Sequence, residues 1–252
     1  MGEPLQNAVI RGFQECSLLD WDGKICCTIF VERCNFRCLF CHNPELVDVL
    51  VDVKEDLEPK ERKENNHILE DKIIDYLTSN KDFIDGVCIT GGEPTISNIQ
   101  PILEKIKSIG LNIKLDTNGS NPEILESLVN KKLIDYIAMD IKSNKDKYEK
   151  IVGTKVNIER LDRSIEFIKN SKIEYEFRTT YIPKFMNEKD VSDIAHWLGG
   201  KDRHVNSWVI QRFQPNNCLD KSFTNLPPPH DEEMNLILNI AKKIIPNARL
   251  RG

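Results

Sequence analysis

Short apolar runs of strand type alternate with longer amphipathic patterns of helical type along most of this chain. The clearest strand, residues 25–31 (ICCTIFV), is a continuous apolar run typical of a strand buried on both faces. About six βα units follow one another, which predicts a parallel sheet with right-handed crossovers. The fold class is therefore α/β, either doubly wound or a partial barrel. The predicted strands are 25–31, 86–90, 112–116, 135–140, 173–180 and 207–213. The predicted helices are 68–77, 97–109, 122–130, 156–170, 188–198 and 231–245.

Local signals add detail to this outline. Ser97 with Gln100, and Ser120 with Glu123, have the spacing of a capping box at a helix start. Residues 52–66 (DVKEDLEPKERKENN) are dense in charge, which predicts a solvated surface insertion. This segment is too short to separate two domains, so we expect a single domain over residues 1–252.

Composition limits the class of protein. The chain has 252 residues, 40% hydrophobic and 30% charged, which is typical of a folded globular protein. No apolar run approaches the ~20 residues of a membrane helix, and the start of the chain lacks a secretory signal pattern. We therefore expect a cytoplasmic protein that does not bind a membrane. A net charge of −5 also argues against direct nucleic-acid binding.

Three of the eight cysteines lie close together. Cys34, Cys38 and Cys41 have C-x3-C-x2-C spacing, and three thiolates in one loop can hold three irons of a cubane cluster while one iron stays open. The residues alone leave two alternatives, a structural zinc with His42 as the fourth ligand and reduced thiols without metal. The other cysteines form no second cluster-like spacing; they are Cys16, Cys26, Cys27, Cys88 and Cys218.

Four polar motifs follow four successive predicted strands. The cysteine loop follows the first strand and GGEP (91–94) follows the second, while DTNG (116–119) closes the third and MDIK (139–142) closes the fourth. Active sites of α/β folds lie at the carboxyl ends of the strands. The order of the motifs therefore predicts one site assembled from several strand ends.

The segment CNFRCLFCHN (34–43) resembles the C-x3-C-x-aromatic-C motif of the radical S-adenosylmethionine superfamily, with Phe40 as the aromatic residue. This resemblance implies a partial (β/α)6 barrel with parallel strands. It also implies one [4Fe–4S] cluster on Cys34, Cys38 and Cys41, with S-adenosylmethionine chelating the remaining iron. Reductive cleavage of that cofactor would then release a 5′-deoxyadenosyl radical. Phe40 and His42 flank the last cysteine and are candidate cofactor contacts.

The second motif resembles the GGEP of the same superfamily, which holds the amino group of S-adenosylmethionine. The resemblance assigns Gly91, Gly92 and Glu93 to cofactor binding. From the residues alone, the two glycines permit close backbone approach and the carboxylate can accept hydrogen bonds from an ammonium.

The third and fourth motifs resemble the matching strand ends of glycyl-radical enzyme activating enzymes. The resemblance implies that Asp116 and Asp140 help to hold a monovalent cation near the cofactor carboxylate. It places Asp140, Ile141 and Lys142 at the cofactor's ribose and carboxylate. Arg178, on the fifth predicted strand, resembles an arginine that contacts the cofactor, although pairing with Glu174 or Glu176 is equally compatible with the sequence.

Longer stretches resemble one group, the activating proteins of anaerobic ribonucleoside-triphosphate reductase in the version common in archaea. The stretches are GFQ (12–14), SLLD (17–20), GKI (23–25), CHNPEL (41–46), KLDTNGSNP (114–122), YIAMDIK (136–142), YEFRTT (175–180) and RLRG (249–252). The resemblance implies hydrogen abstraction from a glycine of the reductase large subunit, with flavodoxin or ferredoxin as electron donor. The alternatives are activation of another glycyl-radical enzyme such as pyruvate formate-lyase, a small-molecule radical enzyme of the deazapurine synthase type, and a zinc-binding adaptor that is not an enzyme.

Overall fold

The structure is a computed structural model that describes residues 5–47, 59–199 and 205–252, with the backbone alone for 59–68. The described part contains eight strands and seven α-helices. The strands are β1 (Ile10–Ser17), β2 (Cys26–Val31), β3 (Gly86–Gly91), β4 (Asn112–Thr117), β5 (Tyr136–Asp140), β6 (Glu174–Tyr181), β7 (Trp208–Arg212) and β8 (Ala248–Arg251). The helices are α1 (Pro59–Asn80), α2 (Gln100–Ile109), α3 (Pro122–Asn130), α4 (Tyr148–Val152), α5 (Ile158–Asn170), α6 (Glu188–Gly199) and α7 (Asp231–Lys242).

The chain divides into two compact units, each made of several stretches of sequence. The first unit comprises the described residues within 1–35, 45–117 and 123–137, and the second those within 36–44, 118–122 and 138–252. The cysteine loop is thus shared, because Cys34 belongs to the first unit whereas Cys38 and Cys41 belong to the second.

The first unit is built on four strands. β1 pairs antiparallel with β2, whereas β2–β3 and β3–β4 are parallel. Ile29, Ile89 and Leu115 are fully buried in these three parallel strands. Their apolar character, with β-branched isoleucine in β2 and β3, explains why the central strands form here, since such side chains pack well on a pleated surface. The parallel pairs bring the carboxyl ends of β2, β3 and β4 to one edge.

The second unit contains the parallel strands β6, β7 and β8. Phe177 and Trp208 are opposite each other in the register and are fully buried. Helix α5 begins after Asn157, whose side chain accepts a hydrogen bond from the backbone amide of Arg160. This unit also carries the last three residues of β5, which end at Asp140.

Two predictions about helix starts are wrong. Helix α1 begins at Pro59 rather than at residue 68, because the charged stretch before it is rich in good helix formers and proline suits the first turn. Ser97 does not form a capping box with Gln100; α2 begins after Ile99, without a side-chain cap. Instead, the Ser97 amide bonds to Pro94 O at the end of a short 3-10 helix. In the predicted insertion 52–66, residues 52–58 lie outside the described residues and the remainder lies in α1.

The six predicted strands are confirmed with small shifts at their ends, and with them the α/β class. Among the strands and α-helices of the described residues, β1, α4 and β8 had no prediction. Among the residues the structure describes, no helix is long and apolar enough to cross a membrane.

Candidate active site

In the first unit, Arg33 directs the chain into the cysteine loop. Arg33 has a φ of 70°, an uncommon left-handed conformation for a residue with a side chain. Its amide donates to Leu46 O at 2.7 Å, and its carbonyl accepts from the Glu93 amide at 2.8 Å. These bonds fix the backbone immediately before Cys34 and join it to the GGEP turn.

The two glycines of this turn are required by the chain itself. A Cβ at Gly92 would lie 1.9 Å from Arg33 O, and one at Gly91 would lie 2.5 Å from Val31 O. Gly91 also has a φ of 110°, which favours glycine. The sequence prediction attributed the glycines to close approach of a ligand, whereas the structure shows close approach of the end of β2.

Glu93 is a buried carboxylate held in a fixed orientation. It is only 1% exposed, and its Oε1 accepts from the Thr95 amide at 3.1 Å and from the Thr95 hydroxyl at 2.5 Å. Thr117 donates from its hydroxyl to the same oxygen at 2.7 Å. Three donors on one oxygen orient the carboxylate, as a site for an ammonium group requires.

Asp116, the next predicted site residue, lies on β4 beside a buried lysine. Its Oδ1 accepts from the ammonium of Lys114, and its Oδ2 accepts from the Thr90 hydroxyl at 3.4 Å. The Lys114 ammonium also lies 3.7 Å from Cys88 Sγ. The structure therefore brings Gly91, Gly92, Glu93 and Asp116 to the carboxyl ends of β3 and β4, as predicted.

In the second unit, backbone hydrogen bonds from two sides fix the remainder of the cysteine loop. The amides of Arg37 and Leu39 donate to Val152 O and Ile151 O, at the end of α4. Leu39 O and Cys41 O accept from the amides of Asp220 and Leu219. Gly153, with a φ of 64°, allows this approach, since a Cβ there would lie 2.6 Å from Arg37 O.

Asp140 lies between two cations at the end of β5. The Lys142 ammonium is 2.9 Å from its Oδ2, and Nε of Arg178 is 2.8 Å from its Oδ1. Burial alone would raise the pKa of Asp140, but the charges of Arg178 and Lys142 overcome this effect and hold the pKa well below its usual range. Asp140 is thus an ion-pair partner of Arg178, which the sequence prediction had not named.

The same cluster contacts the cysteine loop. The Lys142 ammonium lies 5.8 Å from the ring centroid of Phe40, within the range of a cation–π contact. Burial raises the pKa of the Cys38 thiol to about 11, and the nearby Lys142 opposes part of that shift. Ile141 is fully buried, and its amide donates to Arg178 O at 2.7 Å. In this unit the predicted residues Cys38, Phe40, Asp140, Ile141, Lys142 and Arg178 therefore form one group.

His42, the residue after the last cysteine of the loop, contacts the segment that follows β7. Its Nε2 lies 2.9 Å from Gln214 O, and its ring stacks on Phe213 with centroids 6.4 Å apart. A zinc site would require this histidine as the fourth ligand. Among the residues that the structure describes, no group of three or more His, Cys, Asp and Glu side chains is arranged to hold a metal ion, and this applies to the three loop cysteines with or without His42.

Four residues near the predicted site had no assigned role in the sequence prediction. Thr95 and Thr117 orient Glu93, and Lys114 pairs with Asp116. Tyr148 accepts from the Lys142 amide at 3.3 Å and donates to Asp140 O at 3.4 Å. Thr117 and Lys114 lie inside stretches that carried the resemblance, so their position was a signal, whereas nothing in the sequence marks Tyr148.

A search of family models matches residues 28–198 to the Radical SAM superfamily. The chain belongs to this superfamily. Radical SAM enzymes use a [4Fe–4S] cluster and S-adenosylmethionine. Since the members of this superfamily and the similar proteins are enzymes, the protein is an enzyme and the alternative of a zinc-binding adaptor is excluded. The donor set fits these groups, since the loop supplies three thiols and the GGEP turn supplies an oriented carboxylate.

Similar proteins place this radical SAM enzyme among the activating enzymes. A Methanocaldococcus jannaschii protein, provisionally named a glycyl-radical enzyme activating enzyme, is 34% identical over 97% of this chain and 96% of its own length. The pyruvate formate-lyase 1-activating enzyme of Escherichia coli K12 is 26% identical over 93% of this chain and 95% of its own.

Solved structures confirm the fold. A domain of the pyruvate-formate lyase-activating enzyme from Bacteroides vulgatus superposes with a TM-score of 0.54 at 19% identity, covering 66% of this chain and 99% of that domain. The predicted fold class, α/β with parallel strands in the partial barrel of this superfamily, is confirmed.

Proposed function

We propose that this enzyme activates a glycyl-radical enzyme, by abstracting one α-hydrogen from a glycine of its partner. The observation that carries the proposal is the M. jannaschii relative, which matches this chain almost end to end and bears that function in its name. When bound, the cluster and S-adenosylmethionine supply a 5′-deoxyadenosyl radical, which takes the hydrogen and leaves the unpaired electron on the glycine.

The chain's own residues have distinct tasks in this proposal. Cys34, Cys38 and Cys41 hold the cluster, with Phe40 and His42 beside the last ligand. The fixed carboxylate of Glu93 receives the cofactor's ammonium. The group of Asp140, Ile141, Lys142 and Arg178 binds the cofactor's ribose and carboxylate, since it offers two cations and one carboxylate in a fixed arrangement.

For the partner, we propose the large subunit of anaerobic ribonucleoside-triphosphate reductase, with flavodoxin or ferredoxin as the electron donor. The support is the resemblance of stretches that extend beyond the shared motifs, among them KLDTNGSNP (114–122), which contains DTNG, and RLRG (249–252). A cytoplasmic location is part of this proposal. It suits eight cysteines that form no disulfide in the described structure.

The test is anaerobic incubation of the reconstituted enzyme with S-adenosylmethionine, a reductant and a candidate partner, followed by electron paramagnetic resonance. We expect a glycyl radical on the reductase, seen as a doublet that collapses when its glycines carry deuterium at Cα. Pyruvate formate-lyase is the comparison partner. A radical on that protein alone would correct the partner, and cofactor cleavage that requires a pterin-like small molecule would overturn the proposal.

A further inference from the structure

The resemblance assigns Asp116 to a monovalent cation, and the first unit places a buried lysine beside this carboxylate. Lys114 is 1% exposed, lies two positions before Asp116 on β4, and points to the same face of the strand. Its ammonium contacts Asp116 Oδ1 directly. The carboxylate therefore already has a positive charge beside it, supplied by the chain.

The second oxygen of Asp116 is also engaged, since Oδ2 accepts from the Thr90 hydroxyl. The Lys114 ammonium is near Cys88 Sγ on β3, in the register position opposite Lys114. If a metal cation took Asp116 as a ligand, it would come close to a buried ammonium of the same sign. The ammonium would then lose its carboxylate, and leaving a buried charge uncompensated is strongly unfavourable.

The other carboxylate that the resemblance assigns to the cation is neutralised as well. Asp140, within its own unit, carries Lys142 on one oxygen and Arg178 on the other. A cation site is usually built from carboxylate and carbonyl oxygens with negative charge to spare. Neither Asp116 nor Asp140 provides this.

We propose that Lys114 replaces the monovalent cation, so that this enzyme binds S-adenosylmethionine without potassium or sodium. The residues do not fit the cation that the resemblance implied, and the ammonium of Lys114 supplies the positive charge on Asp116 instead. The proposal deepens the proposed function, on which it rests for the identity of the cofactor.

The first experiment measures S-adenosylmethionine binding to the reconstituted wild-type protein without a partner. Binding is followed by equilibrium dialysis in choline chloride, potassium chloride and sodium chloride at equal ionic strength. We expect the same Kd in all three salts. A saturable strengthening by potassium or sodium would overturn the proposal. Because no partner is present, failure to activate a partner does not affect this result.

The second experiment uses Lys114→Met, which keeps the length of the side chain and removes its charge. We expect its Kd to rise about 10-fold in choline, as for the loss of a charge-assisted contact, and to recover on addition of potassium or sodium. Lys107→Met is the matched control, since Lys107 is also paired with an aspartate, Asp135, in the same unit. A folded Lys114→Met protein that binds equally in every salt would contradict the proposal.

A third readout needs no cofactor. The melting temperature of Lys114→Met, and of Lys114→Gln if the first variant folds poorly, should rise with potassium or sodium relative to choline. The melting temperature of the wild type should be equal in the three salts, and a selective rise there would refute the role of Lys114 even if neither variant folds.

Discussion

At the scale of single residues, the candidate site depends on groups that orient the predicted ones. Glu93 was predicted from its motif, but its orientation comes from Thr95 and Thr117. Lys142 was predicted, but its backbone is fixed by Tyr148. Burying a carboxylate or an ammonium is unfavourable unless hydrogen bonds compensate, so these partners matter as much as the motif residues.

Replacing Thr117 by Val should weaken cofactor binding. The substitution keeps the shape of the side chain and removes one donor to Glu93 Oε1. Loss of one such bond, about 1 kcal/mol, should raise the Kd for S-adenosylmethionine about 5-fold. Equilibrium dialysis measures this, with Thr224→Val as a control because Thr224 bonds only locally, to Lys221 O. An unchanged Kd in Thr117→Val would show that Glu93 does not depend on this donor.

The cysteines outside the loop should differ in reactivity. Burial raises the pKa of the Cys26 thiol to about 11 and that of Cys27 to about 12, whereas Cys16 is exposed. Since the thiolate is the reactive form, iodoacetamide at mildly alkaline pH should modify Cys16 first in the native protein. Cys26 and Cys27 should react only after unfolding. Peptide mass spectrometry measures the order, and early modification of Cys27 would contradict the buried position of β2.

At the scale of elements, the sequence was most informative where hydrophobic runs are long and least informative at edges. Strand β2 was predicted from a continuous apolar run, and β3 to β7 from shorter strand-type patterns that alternate with helical ones. Strand β8 was not predicted, because it has only four residues (Ala-Arg-Leu-Arg), in which apolar and charged side chains alternate. Its arginines are held by Glu176, a buried carboxylate on β6, through Arg249 at 2.9 Å and Arg251 at 2.8 Å. That contact spans more than seventy positions of sequence, which no local pattern encodes.

The order of the motifs along the chain was sufficient to place the predicted residues at strand ends. Asp116 and Asp140 lie at or next to the last residue of β4 and β5, and Gly91 ends β3. The ion-pair partners were missed, although Lys114 lies two positions before Asp116 on the same face of β4. Arg178, by contrast, reaches Asp140 from β6, a contact that no local pattern encodes. The reason for the glycines of GGEP likewise became clear only from the position of Arg33 O.

A methyl group at Gly92 should disrupt the ends of β2 and β3. A Cβ there would lie 1.9 Å from a backbone oxygen, which cannot move as a flexible side chain can. We expect Gly92→Ala to lose about 3 kcal/mol or more of stability, in the upper range for overpacking. Thermal unfolding measures the loss. Gly12→Ala is the control, since a Cβ at Gly12 would make only ordinary contact with Phe30, at 3.4 Å. Equal melting temperatures for the two variants would contradict the close approach.

The buried Glu176 should stabilise the end of the chain. Glu176→Gln keeps the shape but removes the charge that faces Arg249 and Arg251. A buried carboxylate that accepts from two guanidinium groups makes hydrogen bonds of about 1.5–3 kcal/mol each, so we expect a loss of about 2 kcal/mol. In this variant, hydrogen exchange of the backbone amides should accelerate more in β8 than in β2. Unchanged protection of the β8 amides would show that strand pairing alone holds this strand.

At the scale of the whole molecule, two compact units each carry part of the predicted residues. Cys34, the GGEP turn and Asp116 belong to the first, whereas Cys38, Cys41, Asp140, Lys142 and Arg178 belong to the second. The three loop cysteines, which are the predicted cluster ligands, therefore do not all belong to one unit.

The most direct test of the account measures 5′-deoxyadenosine formed under anaerobic conditions by the reconstituted enzyme and its cysteine variants. Wild type should cleave S-adenosylmethionine, and Ala at Cys34, Cys38 or Cys41 should abolish cleavage, because two thiolates do not retain the cubane. Cys218→Ala is the matched control, since Cys218 is buried and the neighbouring Leu219 amide binds Cys41 O. We expect this control to cleave the cofactor as the wild type does. Full cleavage by any of the three loop variants, or a wild-type protein that binds no iron, would contradict it.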